Sequence, residues 1–289
     1  MKVQGAGCSL VIKTAYREFD VPYSEETLRE AVLLLPEEAS IEGDGVCRAI
    51  RKKGGVTGCV VTPLTLRTVE HLLYLALGLA GHLEFVSGTR NLYRYCIAML
   101  PVEDTECFDL IQDRTGNRER RLFEGCGVSG FELRIMRDEV IKLKLDIRGE
   151  RGPVAYPYTD TFTPEKGERF SGENVTYRIN GKDYRNIYGL TLATRKEGGT
   201  KTEVWIRRCL EKEPDIPETI DELIITARLL RDKYEARHFG EFRVTVTRLV
   251  LTSDETNVNS GDTVIGPLRY YAAGAVGAEV FSSGGEALP

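Results

Sequence analysis

The sequence predicts a mainly β protein with flanking helices, and three observations carry that reading. Residues 131–148 alternate apolar and charged side chains through two successive runs. Phe242, Val244 and Val246 alternate in the same way with Arg243, Thr245 and Thr247. A 3.6-residue apolar period is confined to a few short segments.

Taken along the chain, Ser24–Leu35 has helix-compatible spacing with Ser24 as its cap, and predicts a first helix. Val56–Val61 reads as a strand. After Pro63 and Thr65, the residues Leu66, Val69, Leu72, Leu73, Leu75 and Ala76 recur at helical spacing and Gly78 closes the run, which predicts an amphipathic helix over Thr65–Leu77. Tyr93–Met99 reads as a strand. Phe131, Leu133 and Ile135 then alternate with Glu132 and Arg134, Arg137-Asp138-Glu139 interrupts, and Ile141, Leu143, Leu145 and Ile147 alternate with Lys142, Lys144 and Asp146. That is an antiparallel hairpin with one apolar and one charged face. Further strands are expected at Val175–Ile179, Tyr184–Thr194, Glu203–Arg208 and Glu222–Ala227. A short helix is expected over Leu230–His238, stopped by Gly240, before the strand Phe242–Leu251, a polar turn at Asn259–Asp262 and the segment Thr263–Ala273.

Gly149, Gly152, Pro153, Pro157, Pro164 and Gly167 make the composition shift sharply between Arg148 and Gly172, as in a linker. The 289 residues suit two modest domains. The expected organisation is a first β domain at 1–150, a linker at 151–172 and a second β domain at 173–289. On each side a strand leads into a helix closed by a glycine (Gly78, Gly240), with further strands after it, so a tandem duplication is expected from element order alone.

Composition narrows the function classes. Lys+Arg 39 against Asp+Glu 44 leave a net charge of −5, too little positive charge for a general DNA-coating protein. Hydrophobic residues at 42% and a mean hydropathy of −0.24 describe a soluble chain with a real core. No run approaches the roughly 18 apolar residues of a membrane-spanning helix, and the N-terminus has no apolar core of a secretory signal. The seven cysteines are scattered without a C-x-x-C pair, which predicts reduced thiols and neither a disulfide framework nor a zinc site. Histidine is limited to His71, His82 and His238, which leaves few groups for acid–base chemistry near neutral pH.

Motifs that superficially suggest chemistry fail on spacing. Gly5-Ala-Gly7 has Leu10 where a dinucleotide fingerprint needs its third glycine. Gly125–Gly130 misses the G-x-S-x-G elbow because Phe131 occupies the last position, and Cys126 reads as a core thiol. Asn174-Val-Thr176 has the glycosylation spacing but no secretory context. Asp254–Asn257 lacks calcium-loop spacing, since Val258 stands where an oxygen ligand is required. No catalytic, cofactor-binding or metal-ligating residue is expected, and no cofactor.

Three stretches carry a resemblance. Gly55-Val-Thr-Gly-Cys-Val-Val-Thr-Pro63 leads into Leu72-Leu-Tyr-Leu-Ala-Leu-Gly78. Phe123-Glu-Gly-Cys126 is followed by Val128–Leu133 and then Ile141–Gly149. Val175–Gly181 is followed by Ile187–Leu192. In this order they resemble the tail tube proteins of long-tailed bacteriophages, the subunits of a hollow tail tube, over about Gly5 to Phe281. The turn Glu197-Gly-Gly-Thr200 departs from the Asn-rich sequence common there.

The resemblance implies two packed antiparallel sheets with a flanking α-helix, present as a tandem pair. It implies a virion structural protein, not an enzyme, that self-assembles into stacked rings around a channel for DNA. Two fused domains would close such a ring with three chains, a trimeric pseudo-hexamer favoured over a hexamer. Other tail proteins would cap the tube, DNA would pass without specific binding, no membrane anchor would be needed, and assembly would take place in the bacterial host cytoplasm. Its channel wall should be neutral to acidic, which makes Lys142 and Lys144 an awkward feature unless they are paired or face outward. Lys13–Lys53 and Gly149–Gly172 are expected to be loops that order between rings. An inner-tube subunit of a contractile tail or related injection machine shares the fold. A β-rich enzyme or carbohydrate-binding module remains the reading of another class, although Trp205 is the single tryptophan.

Overall fold

The computed structural model describes residues 8–15, 17–36, 49–86, 93–99, 106–114, 119–157, 167–196, 198–209, 215–229, 240–254 and 264–282. It is mainly β. In chain order the described elements begin with β1 (Cys8–Lys13), β2 (Glu18–Val21), β3 (Glu25–Glu26), β4 (Arg29–Pro36), β5 (Ala49–Pro63) and α1 (Val69–Leu77). β6 (Gly78–Phe85), β7 (Tyr93–Met99), β8 (Phe108–Arg114), β9 (Glu119–Met136), β10 (Lys142–Gly149) and β11 (Arg151–Ala155) follow. The remainder are β12 (Val175–Ile179), β13 (Lys182–Tyr184), β14 (Ile187–Arg195), β15 (Lys201–Cys209), β16 (Thr219–Leu229), β17 (Gly240–Asp254), β18 (Val264–Ala272) and β19 (Val276–Ser282).

The chain forms two compact units. One comprises Met1–Val60, Cys107–Gly127 and Asp146–Pro164, and the other comprises Val61–Glu106, Val128–Leu145 and Glu165–Pro289. In the first unit, β2, β1, β8, the start of β9 and β11 form an antiparallel sheet in that order. Its register sets Ile12, Leu110 and Phe123 side by side on one face, all at most 1% exposed, a cross-strand apolar row of the kind that stabilises sheets. Phe123 and Cys126 are both buried although three residues apart. The pairing register slips there, and Gly125 takes a left-handed φ of 60° while its N–H donates to Asp109 Oδ1 at 3.1 Å. The Phe-Glu-Gly-Cys motif is therefore a β-bulge that resets which face the strand buries.

In the second unit one sheet runs β6, β7, β19, β17, β16, β12, β13. The other runs β17, β18, β15, β14 and the end of β9. β17 serves both: residues 240–246 pair with β19, and residues 249–254 pair with β18. Between them Arg248 adopts a φ of 53°, and burial shifts from Val244 and Val246 to Leu249. That single left-handed residue turns the strand from one sheet into the next. Phe170 packs edge-on against Phe242 with centroids 4.9 Å apart, and buried Tyr270 donates its hydroxyl to the Pro217 carbonyl at 2.9 Å. α1 buries Val69, Leu72, Leu73, Leu75, Ala76 and Leu77, packs on β6, β7 and β19, and ends at Gly78, whose left-handed φ of 114° lets its N–H reach the Tyr74 carbonyl.

The mainly β architecture with antiparallel sheets and a helix is as expected, and β7 and β12 have the expected bounds. Ser24–Leu35 is a correction: it forms β3 and β4, not a helix, because β4 finds a partner in β5 and ladder pairing overrides a short helix-compatible spacing. Over the described residues, β2 to β5, with Val21 and Leu28 buried, also correct the expected loop at Lys13–Lys53, of which residues 37–48 lie outside the described residues. α1 starts at Val69, after a turn in which the Thr65 and Thr68 hydroxyls bond each other at 2.8 Å. The 151–172 linker opens as β11, paired with β9. The compact units divide within β5, β9 and β10, between β7 and β8, and between Pro164 and Glu165, which falls in that segment; residues 158–166 lie outside the described residues. The expected helix Leu230–His238, on which the second half of the repeat depends, lies outside the described residues, as does Gly5-Ala-Gly7.

Candidate functional site

On one sheet of the second unit, strand periodicity places Glu241 and Arg243 on the face opposite Phe242 and Val244. The register sets Arg228 opposite Glu241, Arg243 opposite Glu279, and Glu84 opposite Arg94. The six side chains form a continuous ladder across β16, β17, β19, β7 and β6. Arg228 Nε lies 2.6 Å from Glu241 Oε2, and Arg243 bridges Glu241 at 3.2 Å and Glu279 at 2.9 Å. Arg94 then reaches Glu279 at 3.5 Å and Glu84 at 2.5 Å. The Arg243 guanidinium also lies 5.4 Å from the centroid of Phe281. Three arginines and three glutamates cancel. Only Glu241 is buried, and the other five are partly exposed, so the pairs stabilise the sheet modestly. Their larger effect is to leave a broad face with no unpaired guanidinium in the row. Cys96 lies in this row opposite Glu279, and burial raises its thiol pKa.

The other sheet of the unit presents a different outer face. Arg269 donates to Glu203 at 2.6 Å and its guanidinium lies 5.6 Å from the Trp205 ring centroid. Beside them Val250 and Tyr271 face each other across β17 and β18, and both are exposed. Lys142 and Lys144 on β10 are half-buried, alternating with buried Leu143 and Leu145.

The residues whose types suggest chemistry occupy structural positions. Cys126 is fully buried, its Sγ 3.6 Å from the Phe123 carbonyl, and burial, chiefly, pushes its thiol up to about 12. A thiol held protonated in this way is a core group. Asn174 ends a single 3-10 turn at Gly172–Asn174. Asp254 is the last residue of β17, and Glu255, Thr256 and Asn257 lie outside the described residues. His71 lies half-buried on α1. Among the described residues no group of three or more His, Cys, Asp or Glu side chains is placed to hold a metal ion.

Two features escape a reading of the sequence. The ladder draws on five strands whose residues span 84 to 279, so no local motif announces it. Lys196, just past β14, is 3% exposed, its Nζ has no hydrogen-bond partner among the described residues, and burial lowers its pKa to about 8. Its even-numbered position, in phase with buried Leu190, Leu192 and Thr194, is the available signal.

No family model matches the chain, and no curated protein matches it.

Proposed function

We propose that the chain is a structural subunit of a phage-type tail tube, assembling into stacked rings around a channel that DNA traverses. The observation that carries this reading is the charge-neutral ladder Glu84–Arg94–Glu279–Arg243–Glu241–Arg228. A conduit wall for DNA must not hold phosphates, and guanidiniums already engaged by carboxylates release no counterions to DNA. The bulged Phe123–Cys126 segment of β9 and the passage from β5 into α1, closed at Gly78, are the stretches that resemble tail tube proteins, and they support the same reading.

On this reading the chain partners with copies of itself, three to a pseudo-hexameric ring, and with other tail proteins at the tube ends. It belongs to the virion tail after assembly in the host cytoplasm. No described helix is long and apolar enough to cross a membrane. Cryo-electron microscopy of the purified chain tests the proposal: stacked rings with three chains and pseudo-sixfold symmetry are expected. Six chains per ring, each supplying one tube domain, would overturn the trimer. Particles that never stack at any protein concentration overturn the tube itself.

A further inference from the structure

A cleft of about 270 Å³ opens in the second unit where β12 and β13 approach the start of β14. Arg137, Arg185, Tyr177, Tyr184, Tyr188 and Asp183 line it. Its acids are largely engaged: Asp183 holds Arg178 at 3.0 Å, and Asp138, next to the cleft, accepts the Tyr188 hydroxyl at 2.8 Å. Glu173 stands exposed at the wall and offsets one positive charge. Arg137 and Arg185 are exposed and have no ion-pair partner among the described residues, in contrast to the ladder arginines. Beside them β13 is a three-residue strand paired with β12 alone among the described residues, so it offers backbone groups as well.

We propose that this cleft receives the carboxylate-rich segment 37–44 of a second copy of the chain, an inference that rests on the self-assembly reading above. Glu37, Glu38, Glu42 and Asp44 fall within that segment, and residues 30–47 contain no Lys, Arg or His. The guanidinium forks of Arg137 and Arg185, without ion-pair partners among the described residues, match carboxylates, and Ile41 supplies an apolar contact for the tyrosine rings. The twelve residues 37–48 connect β4 to β5. At roughly 3.3 Å per extended residue, such a connection has the reach to project onto a neighbour.

The test titrates a labelled peptide of residues 36–46 against the full-length protein at low salt. Binding is expected, weakened about tenfold or more by Arg137→Gln with Arg185→Gln, by Gln and Asn at the four peptide acids, and by added salt. Both arginines are exposed, so the variant fold is checked by an unchanged unfolding curve. No binding, equal binding by the variants, or equal binding of a peptide of residues 101–106, another acid-rich connection, overturns the inference. In assembly, Arg137→Glu with Arg185→Glu should abolish stacking, and adding Glu37→Lys, Glu38→Lys, Glu42→Lys and Asp44→Lys to that variant should restore it. If tubes form normally from the Glu variants, this inference fails and the tube reading stands. If the peptide binds the cleft but the chain never forms rings, the tube reading fails and copy-to-copy recognition stands.

Discussion

The backbones of Gly55 and Gly149 touch: a Cβ on Gly55 would collide with the Gly149 carbonyl oxygen, and a Cβ on Gly149 would lie 2.9 Å from Cys126 Sγ. The place of both glycines is steric. β5 and β10 are paired strands, and side chains at these two positions would drive them apart.

Gly55→Ala should therefore destabilise the protein by about 3 kcal/mol or more, since rigid backbone cannot yield. Gly149→Ala should cost less and be partly rescued by Cys126→Ala, which removes the nearest sulfur. Gly127 is the control: a Cβ there would meet nothing within 4 Å, and its Ala variant should stay within about 0.5 kcal/mol. Urea unfolding of the four variants measures the order, and an unaffected Gly55→Ala would refute the close approach.

Lys196 makes stability depend on pH. Its ammonium falls from the ordinary 10.5 to about 8 because it is buried. Below pH 8 the charge is carried in folded and unfolded chains alike, and burying it is costly. Between about 8 and 10.5 the folded chain has released a proton that the unfolded chain retains, so this cost fades and stability rises with pH. Lys196→Met should gain on the order of 2 kcal/mol at pH 7 and little above pH 10. The quantity to measure is the difference between wild type and variant at each pH, which cancels the other titrating groups. A gain independent of pH would assign the effect to packing.

Asp113 and Arg120 form a buried pair at 3.0 Å, with side chains 2% and 1% exposed, directly opposite each other on β8 and β9. Asp113→Ala should cost about 3–5 kcal/mol, because it removes the carboxylate that compensates a buried guanidinium at 3.0 Å. Replacing both, as Asp113→Leu with Arg120→Met, should recover most of that loss. Thermal unfolding of the single and double variants decides, and simple additivity would mean that the two charges do not depend on each other.

The charge ladder predicts how the protein treats DNA. Glu241→Gln with Glu279→Gln leaves Arg228 and Arg243 without carboxylate partners on the ladder face. The variant should retain double-stranded DNA at about 50 mM salt and release it as salt rises, while wild type retains none under either condition. Equal retention by both proteins would remove the ladder as the reason DNA could pass freely. Loss of carboxylate at buried Glu241 should also lower stability by about 1–3 kcal/mol.

The alternating strands were legible because period-two patterning is a property of the local chain. Phe131–Ile135 and Ile141–Ile147 lie at the end of β9 and on and just before β10, and Val175–Ile179 is β12 residue for residue. β8 escaped notice for the converse reason. Leu110, Ile111, Gln112 and Asp113 are all buried, so both faces of the strand are covered and its pattern does not alternate. Ser24–Leu35 misled because a short apolar run fits either period, and only its partner β5 selects the strand.

Apolar spacing along the chain therefore determined that this protein would be built of antiparallel strands with α1 among them, since burying one face of each strand requires nothing beyond local alternation. Which strands are neighbours was decided by the fold. Glu84 and Arg228 stand at opposite ends of one charge ladder only because hydrogen-bond register aligned strands distant in sequence. Pairing energy depends on contacts across space, and no single segment encodes its own neighbour.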